Sequence, residues 1–211
     1  FVEERPNDRI GLVLYASEAY TKTPVTSDKA IILEAIKGIK YDTVLQDGTG
    51  IGMGLATAVN RLKDSKAKSR VIILMTDGVN NAGFIEPETA SDIAKQYGIK
   101  VYTIGIGTNG MAPSPYAYAP NGGFLFKMQK VEIDEQLMKS IARKTDGTYF
   151  RATSNDRLAE IYSAINKLET TEIQELKFYD YDEKYRVFVL LAAFLLVLEV
   201  GLRNTVYRSF I

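Results

Sequence analysis

Two short stretches carry the side chains best suited to chemistry. Asp47-Gly48-Thr49-Gly50 precedes an amphipathic run, and Thr76-Asp77-Gly78 follows the most apolar one. A threonine hydroxyl and an aspartate carboxylate are hard oxygen ligands, suited to octahedral Mg²⁺ or to Ca²⁺. Gly48 and Gly50 allow the backbone to approach a ligand closely. The same residues also fit plain turn chemistry, with Asp77-Gly78 as a turn and Thr49 as a hydroxyl at a helix start. On spacing alone the plainer reading is favoured.

Other constellations are weaker. Glu132, Asp134 and Glu135 could imitate an acid/base pair, but they read better as a solvated helix start. Gly48, Gly50, Gly52 and Gly54 hint at a dinucleotide loop, yet Met53 stands where the third glycine of G-x-G-x-x-G belongs, and no clear strand precedes them. No phosphate-loop motif of the form G-x-x-x-x-G-K-[ST] occurs. Tyr116 and Tyr118 lie in a Pro-rich stretch, where they serve either as partner contacts or in loop packing.

Composition narrows the chemistry further. The 211-residue chain has no Cys and no His. Thiol catalysis, Cys/His zinc sites and imidazole triads are thereby excluded, and any metal must be held by oxygen. Lys+Arg and Asp+Glu number 26 each, so the basic excess of a nucleic-acid binder is missing. Apolar residues make up 46% and charged residues 25%, the balance of a chain with a packed core.

The elements that position these residues alternate. Ile10 to Ala16 reads as a buried strand. Ala19 to Thr26 reads as an antiparallel edge strand, because Pro24 cannot donate to a ladder. Ser27-Asp28 caps a helix with Ile32, Leu33, Ile36 and Ile39 on one side. A second helix presents Ile51, Leu55, Val59 and Leu62. Val71 to Met75 is apolar throughout, as a strand covered on both faces must be. Pro87 starts a helix that Gly98 ends, and Lys100 to Ile106 is the next strand. Gly107 to Gly123 reads as a surface loop, followed by a small hairpin of 124–128 and 131–133. Asp134 caps a helix that Gly147 ends. Thr148 to Arg151 forms a short strand, and a last helix carries Leu158, Ile161, Tyr162, Ile165 and Leu168. Such alternation favours right-handed crossovers and a parallel sheet.

Val187 to Leu202 is apolar except for Glu199. As a helix it spans roughly 24 Å, somewhat short of a bilayer core of ~30 Å. Tyr185, Arg186, Arg203 and Tyr207 can extend it by snorkelling and aromatic anchoring. We read it as a membrane-spanning helix; the alternative is a buried helix of the soluble domain. Lys184 and Arg186 before it balance Arg203 and Arg208 after it. The orientation adopted puts the tail inside and the domain outside.

Taken together, Asp8 to Val13, Asp47 to Gly52, Val71 to Gly78 (VIILMTDG), Val101 to Gly107 (VYTIGIG) and Asp146 to Arg151 resemble, in order, a von Willebrand factor A (vWA) domain. The resemblance covers roughly residues 1 to 168. With the Gly-rich insertion and the apolar C-terminal run, it points to the bacterial, membrane-anchored Bat-type proteins of aerotolerance operons. It implies a three-layer, doubly wound (Rossmann-like) α/β fold, mostly parallel with one antiparallel edge strand, plus a C-terminal transmembrane helix. The segments would be a domain at 1–168, a linker at 169–186, a span at 187–204 and a tail at 205–211.

The resemblance also implies a metal-ion-dependent adhesion site (MIDAS). There a divalent cation, Mg²⁺ or another, is held by an Asp-x-Ser-x-Ser loop, a Thr and an Asp, and one position stays open for a partner's acidic side chain. Thr49 matches the family Thr and Asp77 the family Asp. No Asp-x-Ser-x-Ser precedes Asp8, and Phe1 to Arg5 resembles the end of the first helix. We therefore expect the first strand, its metal loop and most of the first helix to be missing, with Mg²⁺ binding weak or absent. Backbone groups beside 10–16 and 71–75 would then be left unpaired, so we expect a gap there, a swapped strand, or, in preference to both, a chain that is only part of the natural protein. Phe1 stands where a start Met would, so the chain reads as the downstream part of a longer protein. The implied partners are proteins: a second vWA membrane protein and a MoxR-type AAA+ ATPase, at the bacterial inner membrane with the domain on the periplasmic side, and no nucleic acid. The implied role is binding without catalysis. Against it stand a Rossmann-like enzyme of unknown reaction and a scaffold without metal.

Overall fold

The structure is a computed structural model that describes residues 1–39, 48–107, 110–118, 124–173 and 185–205. It comprises two units, Phe1–Glu172 and Ile173–Ile211, each considered by itself.

The first unit is organised by a parallel ladder of β3 (Val71–Thr76), β4 (Lys100–Ile106) and β7 (Tyr149–Ala152), in the order β3-β4-β7. Val71 lies opposite Lys100 and Thr76 opposite Gly105; Thr103 lies opposite Tyr149 and Ile106 opposite Ala152. Successive side chains alternate between sheet faces, and both faces of this ladder are apolar. Ile72, Leu74 and Val101 face a cluster with Ile51, Leu55 and Val59 of α2 (Ile51–Leu62), Ala90 and Ala94 of α3 (Pro87–Gln96), and Met138 and Ile141 of α4 (Glu135–Lys144). Tyr102 and Ile104 face the other way, toward Ile161 and Ile165 of α5 (Asn155–Ile173). Each fully buried Ile or Leu contributes about 1.5–3 kcal/mol. The result is three layers: helices, a parallel sheet, and a helix.

The segment before the first strand lies along α5. Phe1 stacks on Tyr162 with ring centroids 5.2 Å apart, and Arg5 Nε donates to Asn166 Oδ1 at 2.9 Å. At the far end of α5, Glu169 is 2% exposed. Its carboxylate accepts from Tyr102 Oη at 2.6 Å, Ser69 Oγ at 2.9 Å and Lys100 Nζ at 3.0 Å.

β1 (Ile10–Tyr15) and β2 (Ala19–Thr26) form a separate antiparallel pair, so the strand carrying Pro24 is antiparallel as expected. Among the described residues β1 and β3 share no ladder. α2 packs against both strands, and the Tyr15 hydroxyl crosses the gap to donate to the Met75 carbonyl. α1 (Lys29–Lys37) lies against β1 and β2, with Asp28 Oδ1 accepting from the Ala30 amide at 2.9 Å.

Several expectations are corrected. Of the apolar side of α1, Ile32 is buried but Ile36 and Ile39 are exposed; the helix ends at Lys37, so Ile39 lies beyond it. Phe1 to Arg5 forms turns rather than helix, with the Glu4 amide on the Phe1 carbonyl. α4 ends at Thr145 and turns at Asp146 with φ 57°, and the Gly147 amide closes it by donating to the Ala142 carbonyl at 2.8 Å. Gly147 is needed for packing, because a Cβ there would sit 2.0 Å from the Val101 carbonyl oxygen.

The stretch assigned to a surface loop is instead largely a strand. β5 (Gly110–Tyr118) pairs antiparallel with β6 (Phe124–Val131), and the expected hairpin around Gln129-Lys130 does not form. α5 continues to Ile173, so the linker predicted from residue 169 begins within a helix.

The second unit contains α6, Tyr185–Thr205. Its large apolar side chains from Phe188 to Leu202 are exposed. Among the described residues no helix is long and apolar enough to cross a membrane. The transmembrane span expected at 187–204 is thus found as a helix but not shown as a span.

Candidate functional site: the rim where α2 begins and β3 ends

Thr49 stands just before α2 and Asp77 just after β3, both at one end of the sheet. The two loops are tied backbone to side chain. The Thr49 amide donates to Asn81 Oδ1 at 2.7 Å, and the Ile51 amide donates to Asn80 Oδ1 at 2.8 Å. The Asn81 amide returns a bond to the Thr49 carbonyl at 3.0 Å. Gly50, the residue that begins α2, has no capping side chain. Asn80 therefore satisfies an amide that a helix start leaves open, and Asn81 holds the residue just before the cap.

Two glycines make this approach possible. Gly48 has φ 140°, and a Cβ there would lie 2.7 Å from the Ala82 methyl. At Gly50 a Cβ would lie 2.9 Å from the carbonyl oxygens of Ala16 and Ser17. On the other loop the buried Thr76 hydroxyl accepts from the Gly78 amide at 3.2 Å. This leaves Asp77 exposed at the turn. Thr49 Oγ1 lies 3.3 Å from the point a Cβ on Gly78 would occupy. The hydroxyl thus adjoins the residue next to Asp77.

Below them sits Tyr15. Burial pushes its phenol up to about 12, the Asp77 charge adds to the rise, and a hydrogen bond with Thr76 opposes it. At this end of the sheet, then, a phenol stays neutral beneath an exposed carboxylate.

Asn80 and Asn81 were missed in the sequence reading. Their signal is visible in hindsight: two adjacent Asn residues just past a Thr-Asp-Gly turn, where side-chain oxygens reach backbone amides. The weaker candidates resolve into structure. Asp134 caps α4 by accepting from the Leu137 amide, and Glu135 pairs with Lys139 and with Arg151, each at 2.9 Å. A Cβ on Gly52 would lie 1.9 Å from the Ile85 carbonyl oxygen, and one on Gly54 would lie 2.7 Å from the Tyr15 ring. These glycines serve close packing. Tyr116 and Tyr118 lie in β5, and their side chains, like Asp47, fall outside the described residues.

As metal ligands, Thr49 and Asp77 have the right chemistry and the wrong number. Mg²⁺ takes six oxygens in near-octahedral geometry. Among the described residues no group of three or more Asp or Glu is placed to hold a metal ion. Two donors fit one side of a coordination shell, no more.

A three-layer α/β domain with a Thr and an Asp at the rim of its parallel sheet defines a class, and the comparisons specify it. The von Willebrand factor type A domain model matches residues 2–164, and the chain belongs to that family. BatB from Bacteroides thetaiotaomicron is 27% identical with a TM-score of 0.64, over 80% of this chain and 83% of that one. An aerotolerance-related membrane protein from Bacteroides fragilis is 26% identical with a TM-score of 0.63, over 79% and 81%. Proximal thread matrix protein 1 of the mussel byssus, with a zinc-occupied MIDAS motif, is 25% identical with a TM-score of 0.57, over 80% and 38%. A Borreliella burgdorferi relative is 29% identical over 197 residues, 93% of this chain. The chain spans 57% of that relative's length and 49% of a Mycobacterium relative's. Domains of this family mediate protein interactions, often through a divalent metal at a MIDAS.

Proposed function

We propose that this chain is a membrane-anchored vWA domain that binds protein partners at the Thr49–Asp77 rim and catalyses nothing itself. The observation that carries the reading is the pinning of the Thr49 loop to the Asp77 loop through Asn80 and Asn81. It ties the half-buried Thr49 to the loop that carries the exposed Asp77. Thr49 and Asp77 would hold a divalent cation, most simply Mg²⁺, with its remaining ligands coming from other groups. The cation would supply a positive charge for a partner's carboxylate. The zinc-occupied motif of the mussel protein supports a metal in this kind of domain.

The test is titration with Mn²⁺, whose paramagnetism broadens amide resonances near the bound ion. Broadening should centre on residues 48–50 and 76–79 and disappear in Asp77→Ala. For Mg²⁺, calorimetry should show an affinity weaker than submillimolar. Broadening elsewhere, or none at millimolar Mn²⁺, would leave the second reading, a scaffold whose rim binds proteins without metal. The two-donor site favours that alternative to this extent.

The partners we propose are a second vWA membrane protein and a MoxR-type AAA+ ATPase. The membrane anchor is α6. Its 21 residues run ~32 Å at ~1.5 Å per residue, and membrane association of the anchor, rather than a demonstrated crossing, is what we propose. Its apolar side chains are exposed rather than confined to one stripe. We place the protein in a bacterial inner membrane with the domain on the periplasmic side.

A further inference from the structure

β5 and β6 form a ribbon of two strands. Such a ribbon is marginal by itself in water. Its register sets Met111 opposite Lys130, Pro113 opposite Met128 and Pro115 opposite Phe126. Directly opposed residues share a face, and every second residue along a strand returns to it. Positions 111, 126 and 128 therefore lie on one face, and 125 and 127 on the other. Met111 is 62% exposed, and Phe126 and Met128 are 59% exposed. Three bulky apolar side chains presented together differ from the single apolar residues scattered over any surface.

The charge of the segment is one-sided too. From Gly107 through Val131 the sequence contains Lys127 and Lys130 and not one Asp or Glu, in a chain with 26 acidic residues. Tyr116, Tyr118, Phe124 and Phe126 fall in the same stretch. Aromatic residues favour the headgroup level of a bilayer, and lysines are drawn to anionic lipid phosphates. A protein groove would match the apolar face but would give no reason for a stretch without carboxylates. We infer that the Met111–Phe126–Met128 face of the β5–β6 ribbon docks on the surface of an anionic lipid bilayer. The inference rests on the membrane association proposed above.

The chain contains no Trp, so a single introduced Trp reports one position. The full chain carrying Phe126→Trp is reconstituted into phosphatidylcholine–phosphatidylglycerol vesicles with brominated acyl chains. The expected result is quenched, blue-shifted emission, reproduced by Met128→Trp and absent in Phe84→Trp at the rim. Lys130→Gln, on the face of Met111 and Met128, should lower the ratio of quenched to unquenched emission roughly fivefold, Lys127→Gln on the opposite face should lower it less, and omitting phosphatidylglycerol should act in the same direction as Lys130→Gln. Phe194→Trp in α6 reports the anchor separately. Quenching at 194 with none at 126 or 128 overturns the ribbon inference and leaves the anchor standing. Absence of quenching at 194 instead removes the anchor, while 126 and 128 still report on the ribbon. Quenching at 126 that ignores both Lys130→Gln and lipid charge, or shielding of that Trp by self-association in detergent, also overturns it.

Discussion

Asn80 turns a helix start into a joint between two loops, because its side-chain oxygen accepts the Ile51 amide across 29 positions of sequence. Loss of a capping acceptor costs about 1 kcal/mol. Asn80→Ala should lower the urea midpoint by that free energy without changing the slope of the transition. A second residue-scale expectation concerns Glu169. Burial raises its pKa, but the bonds from Tyr102, Lys100 and Ser69 outweigh that, and the net shift is downward. A depressed carboxylate stabilises the fold above its unfolded pKa of ~4.3, and that contribution is lost as pH falls through the lower folded value. Glu169→Ala should cost roughly 3 kcal/mol at neutral pH. Thermal melts from pH 7 to pH 3 should show a shallower acid decline in Glu169→Gln than in the parent chain.

At the scale of elements, α2 and the loop before α3 are set by a glycine. Gly52→Ala places a methyl against the Ile85 carbonyl and should destabilise by about 1–3 kcal/mol through overpacking. Chemical denaturation checks it, and Ala56→Ser on the same helix serves as the comparison. β3, β4 and their flanking helices were legible in the sequence, since continuous apolar runs and helix-period stripes state their burial directly. The β5–β6 ribbon was not. Pro113 and Pro115 read as loop residues, yet a two-stranded ribbon has an outer edge that tolerates residues without an amide hydrogen. Thr49 and Asp77 were legible as a pair of oxygen donors. The asparagines that fix them were not, because their partners are amides that any sequence supplies.

For the whole molecule, the anchor proposed at α6 has a direct test, because the chain has zero formal charge and α6 exposes large apolar side chains. Leu195 is 55% exposed, midway along α6. An arginine near the middle of a span costs roughly 2.5–3.5 kcal/mol. Leu195→Arg should move the protein from the carbonate-resistant membrane fraction to the extract, whereas Leu202→Arg, near the helix end, should leave it in place. Equal extraction of both variants would remove the anchor from the functional reading.

The bond from Tyr15 to the Met75 carbonyl makes one phenol a strut between two ladders that share no rung among the described residues. Its far end is attached two residues from Asp77. Tyr15 keeps its proton to about pH 12. The strut's contribution is whole below the ordinary tyrosine value near ~10 and fades as pH climbs through the folded one. Tyr15→Phe cuts the strut at any pH. Faster hydrogen exchange in that variant should therefore reach the Thr76–Asn81 turn as well as β3, because part of any push on the first ladder arrives at the acidic tip through that phenol.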